Sequence, residues 1–218
     1  MPTFSLLPEP EAIMLLEKNQ LPYPENGYAK SSDEAIEFAN KIGYPVVLKI
    51  VSNDVIHKSD IGGVKTNLQT PGDVHRAFID IYTNLLEHIP NAKFDGILVC
   101  KQAETGIELI VGGIQDVMFG PCLMVGLGGI FAEVLRDVSF RIIPFKKIDA
   151  IEMLQELKGY SILLGVRGGE KADIDALAEF LVKISTFLFE NPWIMEVDFN
   201  PVRIKGNKIT ILDARIFY

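Results

Sequence analysis

Apolar residues recur along this chain with two periods, and the switches between them mark out its elements. In residues 9–19, Leu15 and Leu16 sit at the centre of a helical stretch that Pro22 and Pro24 end. Ala35, Ile36, Ala39 and Ile42 share a helical face behind Ser31, and Ser31 with Glu34 has the spacing of a capping box. Gly43 suits the position just past that helix. The clearest amphipathic helix is 73–89, with Val74, Ala77, Phe78, Ile81, Leu85 and Ile89 on one side and Thr70 as its cap. Short apolar runs predict strands at 46–50, Val64–Leu68, 96–102, 107–114 and 121–125, then extended pieces at 131–135 and Val138–Ile142. Pro90 and Asn91 break the pattern, and Gly126, Gly128 and Gly129 interrupt the strands. Helices at 148–157 and 174–189 flank a glycine-rich LLGVRGG, and the chain closes in a hairpin.

This order predicts an α+β fold in two lobes: a small α/β lobe over about 19–95, and a larger one over about 96–218 with the N-terminal helix folded back on it. The 218 residues are enough for that, and 48% hydrophobic with 23% charged residues is the composition of a chain with a real core. A net charge of −8 argues against nucleic-acid binding, which selects basic surfaces. Cys100 and Cys122 lie in apolar, strand-like runs and read as buried reduced thiols, not as a disulfide or a metal pair. The N-terminus lacks a basic flank with an apolar run, and no apolar run approaches a membrane span, so the expectation is a cytoplasmic protein away from membranes.

Chemistry concentrates in 46–68, VVLKIVSNDVIHKSDIGGVKTNL. Lys49 ends an apolar strand, a polar loop gathers His57, Lys58, Ser59 and Asp60, and Gly62 and Gly63 follow. Glycines let backbone amides approach an anion, lysine supplies a point charge, and histidine can carry a phosphoryl group covalently. The alternatives are a solvated strand-end lysine, a surface loop histidine and simple tight turns. His75 and His88 fall on the 73–89 helix, facing solvent. Asp60 is placed to orient the His57 imidazole.

The closing hairpin yields to counting. Gly206-Asn207 is a two-residue turn signal that sets Lys205 opposite Lys208. Counting back sets Asn200 opposite Asp213 and Asp198 opposite Arg215, with Cβ atoms roughly 5 Å apart across the pair. Asp198 and Asn200, two apart, point to one face. Their oxygens with those of Asp213 suit one small hard cation such as Mg²⁺. The alternative is an exposed polar strand with an Asp–Arg pair, and Pro201, which lacks a ladder donor, threatens a bulge. Glu108, an acid among apolar strand residues, needs a partner if buried.

Several long motifs occur in order: GYPVVLKI, HKSDIGGV, GIELIVGGIQDVMFGP, MVGLGGIFAEVLRDVSFRIIPF, LLGVRGG, MEVDFNPV and ILDARI. Together they resemble the ATP-grasp beta subunit of ADP-forming acyl-CoA synthetases, over nearly the whole chain. The resemblance implies a two-lobed ATP-grasp fold with the nucleotide bound between the lobes. It implies ATP or ADP with Mg²⁺ as cofactors and the metal on Asn200, Asp213 and Asp198. Lys49 is implied at a phosphate, and His57 as the phosphoryl relay. Glu108 is implied at the nucleotide, and the 97–102 strand as a hinge whose backbone, around Val99 and Lys101, reads adenine. Phe199 stands where the family usually has a branched aliphatic residue. Arg141 and Arg167 are weaker candidates for a phosphate or for the partner.

The implied activity is that of an acid–thiol ligase: acyl-CoA, ADP and phosphate in exchange for acid, CoA and ATP. No CoA-binding module stands out in the chain, so a CoA-binding alpha subunit is the expected partner, in an α2β2 hetero-oligomer. Two rivals remain at this point, another ATP-grasp carboxylate ligase and an ATP-binding regulatory module of an acyltransferase system. HKSDIGGV argues against the first, and an intact Asp198, Asn200 and Asp213 set argues against the second.

Overall fold

Residues 4–55, 57–129 and 137–218 are described in a computed structural model; the extended piece expected at 131–135 and the side chain of Arg167 lie outside the described residues. The chain divides into two compact units, one of residues to Leu7, Glu11–Tyr23 and Glu104–Tyr218, the other of Pro8–Pro10 and Pro24–Ala103. Helix α1 (Glu9–Lys18) starts in the second of these and continues in the first.

The smaller unit contains β1 (Asn26–Ala29), α2 (Ser32–Ile42), β2 (Val46–Val51), β3 (Val64–Leu68), α3 (Pro71–His88) and β4 (Gly96–Lys101). Its four strands run antiparallel in the order β1-β4-β2-β3. Strand alternation sends Leu48, Ile50, Ile97 and Val99 to one face, where α2 and α3 add Ala39, Ala77, Ile81 and Leu85 to a closed core. Thr70 and Asp73 form a full capping box on α3, worth about 1 kcal/mol. Ser31 accepts from the Glu34 amide on α2, but the Glu34 carboxylate reaches the Lys30 amide instead of closing the box on Ser31.

Strand β4 corrects the expected boundary. It pairs with β1 on one edge and β2 on the other, so it is a central strand of the smaller sheet, and this unit extends to Ala103 instead of stopping near 95. Strand β1 itself carries almost no apolar pattern, since its two buried positions are Gly27 and Ala29.

The larger unit contains β5 (Ile107–Asp116), β6 (Gly120–Leu127), β7 (Val138–Ile142), α4 (Lys147–Gln155), α5 (Tyr160–Leu163), a 3-10 turn (Val166–Gly168), α6 (Ile174–Glu190), β8 (Glu196–Lys205), β9 (Lys208–Ile211) and β10 (Ala214–Phe217). Among the described residues its antiparallel sheet has the order β10-β8-β5-β6-β7, with β9 also on β8. One face buries Leu109, Val111, Leu123, Val125, Val197 and Phe199 against α4 and α6. By alternation the other face carries Glu108, Met124, Phe140, Asp198 and Asn200. Phe199 is fully buried, on the side away from its polar neighbours. Both cysteines are free; Cys100 is buried, while Cys122 is only half-buried, more open than expected.

Candidate functional site

Lys49 is not a solvated strand end. It lies inside β2, opposite Val64 on β3 and Leu98 on β4, and is only 8% exposed. Period-two alternation turns it away from the face covered by α2 and α3. An ammonium there needs compensating charge. The Glu9 carboxylate lies 4.0 Å from its Nζ and makes a 2.7 Å bridge to Lys58 Nζ.

The loop after β2 is a run of tight turns. The Asp60 amide donates to the His57 carbonyl (3.2 Å), the Gly62 amide to Ser59 (3.0 Å) and the Gly63 amide to Lys58 (2.7 Å). This corrects the reading of Gly62 and Gly63 as donors of bare amides to an anion, because the loop itself uses both N–H groups. The glycines are needed for shape. Gly62 has φ +65, and a Cβ on Gly63 would lie 2.7 Å from Ile50 Cγ2 and 2.9 Å from the Lys58 oxygen. His57 is exposed beside this turn. Asp60 meets it through the backbone, and among the described residues no hydrogen bond joins the Asp60 carboxylate to the imidazole. His75 and His88 are exposed on α3, bonded to Ser32 and to the Asn84 carbonyl.

In the larger unit the hairpin register is the one counted from the turn. Lys205 pairs with Lys208, Val202 with Ile211, Phe199 with Ala214 and Asp198 with Arg215. The Asn200 amide donates to the Asp213 carbonyl (3.2 Å), and the Leu212 amide to Pro201 (2.9 Å). The bulge that Pro201 threatened falls on the other edge of β8. Opposite β5 the pairing jumps from Leu109–Val202 to Val111–Phe199, so Asn200 and Pro201 share one opposing residue. The missing proline donor is thus absorbed where it leaves the hairpin register intact.

Asp198, Asn200 and Asp213 therefore share the open face of the sheet. The Arg215 guanidinium lies 3.9 Å from a carboxylate oxygen of Asp198 and 3.9 Å from one of Asp213, balancing both beyond hydrogen-bond length. No cluster of three or more His, Cys, Asp or Glu forms a metal site among the described residues. Two carboxylates and one amide oxygen are a hard, incomplete donor set, which fits Mg²⁺ completing its shell with water and phosphate oxygens. A pocket of about 250 Å³ reaches Asp198 but not Asn200 or Asp213, polar at Glu196, Asp198 and Arg215, apolar at Met124, Phe140 and Phe217.

Glu108 is partly exposed and paired. It faces Arg203 across β5 and β8 and forms an ion pair with it, while Arg203 also reaches the Glu104 carbonyl. Arg141 is committed elsewhere. It points to the helix-covered side of the sheet and holds Glu156 through two hydrogen bonds (2.9 and 2.7 Å). With help from Ser139, this lowers the Glu156 carboxyl from its ordinary 4.5 to about 2. Val99 is corrected as an adenine contact. Its side chain is fully buried in the smaller core, and its backbone is in a strand paired on both edges. At Lys101 the amide donates to Glu25 and the ammonium to the Gly43 and Tyr44 carbonyls, closing the end of α2. Sequence reasoning missed Glu9. Nothing in its linear surroundings signals contact with residues 49 and 58.

Residues 3–217 match the ATP-grasp domain family. A relative 45% identical over 210 residues, covering 96% of this chain and 90% of its own length, is the Pyrococcus furiosus acetate–CoA ligase (ADP-forming) I subunit beta. The chain belongs to the ATP-grasp family, among the beta subunits of ADP-forming acetate–CoA ligases. A structure of the Ca. Korarchaeum cryptofilum dinucleotide-forming acetyl-coenzyme A synthetase 1, in complex with coenzyme A, Ca-AMPCP and HgCl⁺, superposes with a TM-score of 0.93 at 46% identity, covering 97% of this chain and 92% of that one. A second structure of that enzyme, holding coenzyme A and Mg-AMPPCP, has its phosphohistidine segment pointing towards the nucleotide binding site; it matches with a TM-score of 0.82 at 42% identity, over 97% and 92% of the two chains. The ATP-grasp fold expected from the motifs is the fold observed.

Proposed function

We propose that this chain is the nucleotide-binding beta subunit of an ADP-forming acyl-CoA synthetase, interconverting acyl-CoA, ADP and phosphate with a carboxylic acid, CoA and ATP. The observation that carries this reading is the 45% identity spanning nearly all of both this chain and a free-standing beta subunit of such a ligase. Phosphate displaces CoA from the acyl-CoA, giving an acyl phosphate. The phosphoryl group passes to a histidine with release of the carboxylate, and then to ADP. His57 takes the relay role. A ring nitrogen bonds phosphorus as the bond to the donor oxygen breaks, and the N–P bond breaks when a β-phosphate oxygen of ADP attacks.

Phosphoryl transfer needs positioning and charge neutralisation above all. Lys49, buried and in low-dielectric surroundings, supplies a fixed positive charge for phosphate. Asn200, Asp213 and Asp198 would hold Mg²⁺, which would supply neutralisation of phosphate charge. Glu108 serves the nucleotide, with Arg203 as its counter-ion. Gly62 and Gly63 shape the relay loop. The partner is a CoA-binding alpha subunit carrying the CoA and acyl sites, in an α2β2 assembly. An enzyme drawing on ADP and CoA works where those pools are, in the cytoplasm; among the described residues no helix is long and apolar enough to cross a membrane.

The test is a pull-down of tagged chain from its native extract, with the eluate assayed for ATP formation from ADP, phosphate and acetyl-CoA. ATP formation dependent on all three, with a co-purifying CoA-binding chain, is the expected result. No ATP formation across a panel of acyl-CoA substrates, with no such chain retained, overturns the reading.

A further inference from the structure

Among the described residues Glu9 is one of few charged side chains that are almost fully buried, at 8% exposure, and it stands in the smaller unit with Lys49 and Lys58. Its two carboxylate oxygens divide their work. Oε2 bonds Lys58 Nζ at 2.7 Å, and Oε1 lies 4.0 Å from Lys49 Nζ. The three side chains are only 7–12% exposed, so their interaction is weakly screened. Two ammonium groups gathered in such a place repel one another unless an anion sits with them. Lys58 follows His57 directly, and its carbonyl accepts the Gly63 amide that closes the turn. Pinning the Lys58 side chain therefore fixes the backbone beside His57, and the same carboxylate lies within ion-pair range of Lys49.

We infer that Glu9 is a positioning residue: one carboxylate ties the His57 loop, through Lys58, to the lysine proposed for phosphate, and holds both in the geometry phosphoryl transfer requires. This rests on the phosphoryl-relay reading given above. Glu9 itself touches neither the phosphoryl group nor the nucleotide. Its effect passes through the two lysines, and it acts on the rate of transfer more than on nucleotide affinity, because alignment of reacting groups is what a loosened loop loses.

Two measurements on the full chain with its CoA-binding partner test this. The first is amide hydrogen exchange of Asp60, Gly62 and Gly63, whose N–H groups close the loop. Glu9→Gln keeps the shape and removes the charge, and these amides are expected to exchange about tenfold faster, with β5 and β6 amides unchanged. Lys58→Met, which removes the other end of the bridge, should give the same exchange pattern if Glu9→Gln proves too unstable to isolate. The second is steady-state ATP formation, where Glu9→Gln should lower kcat about tenfold with the KM for ADP changed less than about threefold. Unchanged exchange in both variants overturns the inference. Faster exchange with unchanged kcat overturns the positioning role and leaves only a structural bridge. If the unaltered protein forms no ATP, the functional reading has failed and the positioning role with it, while exchange still decides whether Glu9 pins the loop.

Discussion

The β8–β10 face and the loop after β2 carry the two halves of the proposed chemistry, and they differ in how their side chains are held. On the sheet, ladder pairing fixes Asp198 opposite Arg215, and the bond from the Asn200 amide to the Asp213 carbonyl carries the same register between the two ladders. In the loop, placement depends on which carbonyl each amide finds and on a carboxylate forty residues and more away in sequence. The sheet presents donors for a cation through backbone geometry alone. The loop holds a histidine next to Lys58 of the ionic cluster, and its glycines fit the turn against Ile50, Asn84 and the Lys58 carbonyl. Sheet residues should therefore tolerate changes of chemistry without loss of fold, whereas the loop should lose structure when its small residues are enlarged.

The largest effect belongs to the exposed imidazole of the loop. His57→Ala should reduce ATP formation roughly 10³-fold or more, with the thermal midpoint unchanged, because the imidazole is solvent-facing. A carboxylate ligase without a phosphohistidine would tolerate the change, so retained activity separates the two enzyme classes. Next is Asp213→Asn, which removes a charge from the cation's donor set and keeps the strand pairing. Its kcat should fall on the order of 10²-fold with a raised Mg²⁺ requirement and unaltered stability. A matching loss of stability would mean that the residue is chiefly a partner of Arg215.

Gly63→Ala should reverse that pattern. The added methyl meets Ile50 and the Lys58 carbonyl, and the cost should be about 1–3 kcal/mol in chemical denaturation. Were the glycine there only to let an anion approach, nucleotide affinity would fall and stability would hold. The smallest effect lies away from both regions. The Arg141 hydrogen bonds lower the Glu156 carboxyl to about 2, so the stabilisation is present above the ordinary 4.5 and is lost as pH falls towards 2. Glu156 is half exposed, which discounts the gain to no more than about 1 kcal/mol. The difference in thermal midpoint between the protein and Glu156→Gln should shrink steadily as pH falls from above 4.5 towards 2; a difference that does not shrink would mean the pair acts through packing.

What could be read from sequence follows the same division. Strands β3 and β7 have the limits their apolar runs suggest, and Thr70 caps α3 because threonine before Pro71, with Asp73 in the first turn, leaves few alternatives. The hairpin register followed from Gly206-Asn207, since a two-residue turn leaves no freedom in the count. Strand β1 escaped because a glycine and an alanine fill its buried positions and give no period to detect. The unit boundary was misjudged because an apolar run does not say which sheet it joins; β4 is decided by its neighbours on both edges. Glu9 was illegible for a related reason, being an ordinary acid at a helix start until the fold brings Lys49 and Lys58 to it. The Gly62 and Gly63 amides misled because glycine permits both a close approach and a tight turn, and only the hydrogen-bond pattern tells them apart.

The central claim is that this ATP-grasp chain moves a phosphoryl group between nucleotide and His57. Incubation of the full chain with γ-³²P-ATP, with and without Mg²⁺, followed by peptide mapping of the label, tests it most directly. The account predicts Mg²⁺-dependent, acid-labile label on the peptide containing His57 and none in His57→Ala; label elsewhere, or no label with Mg²⁺-nucleotide bound, would contradict it.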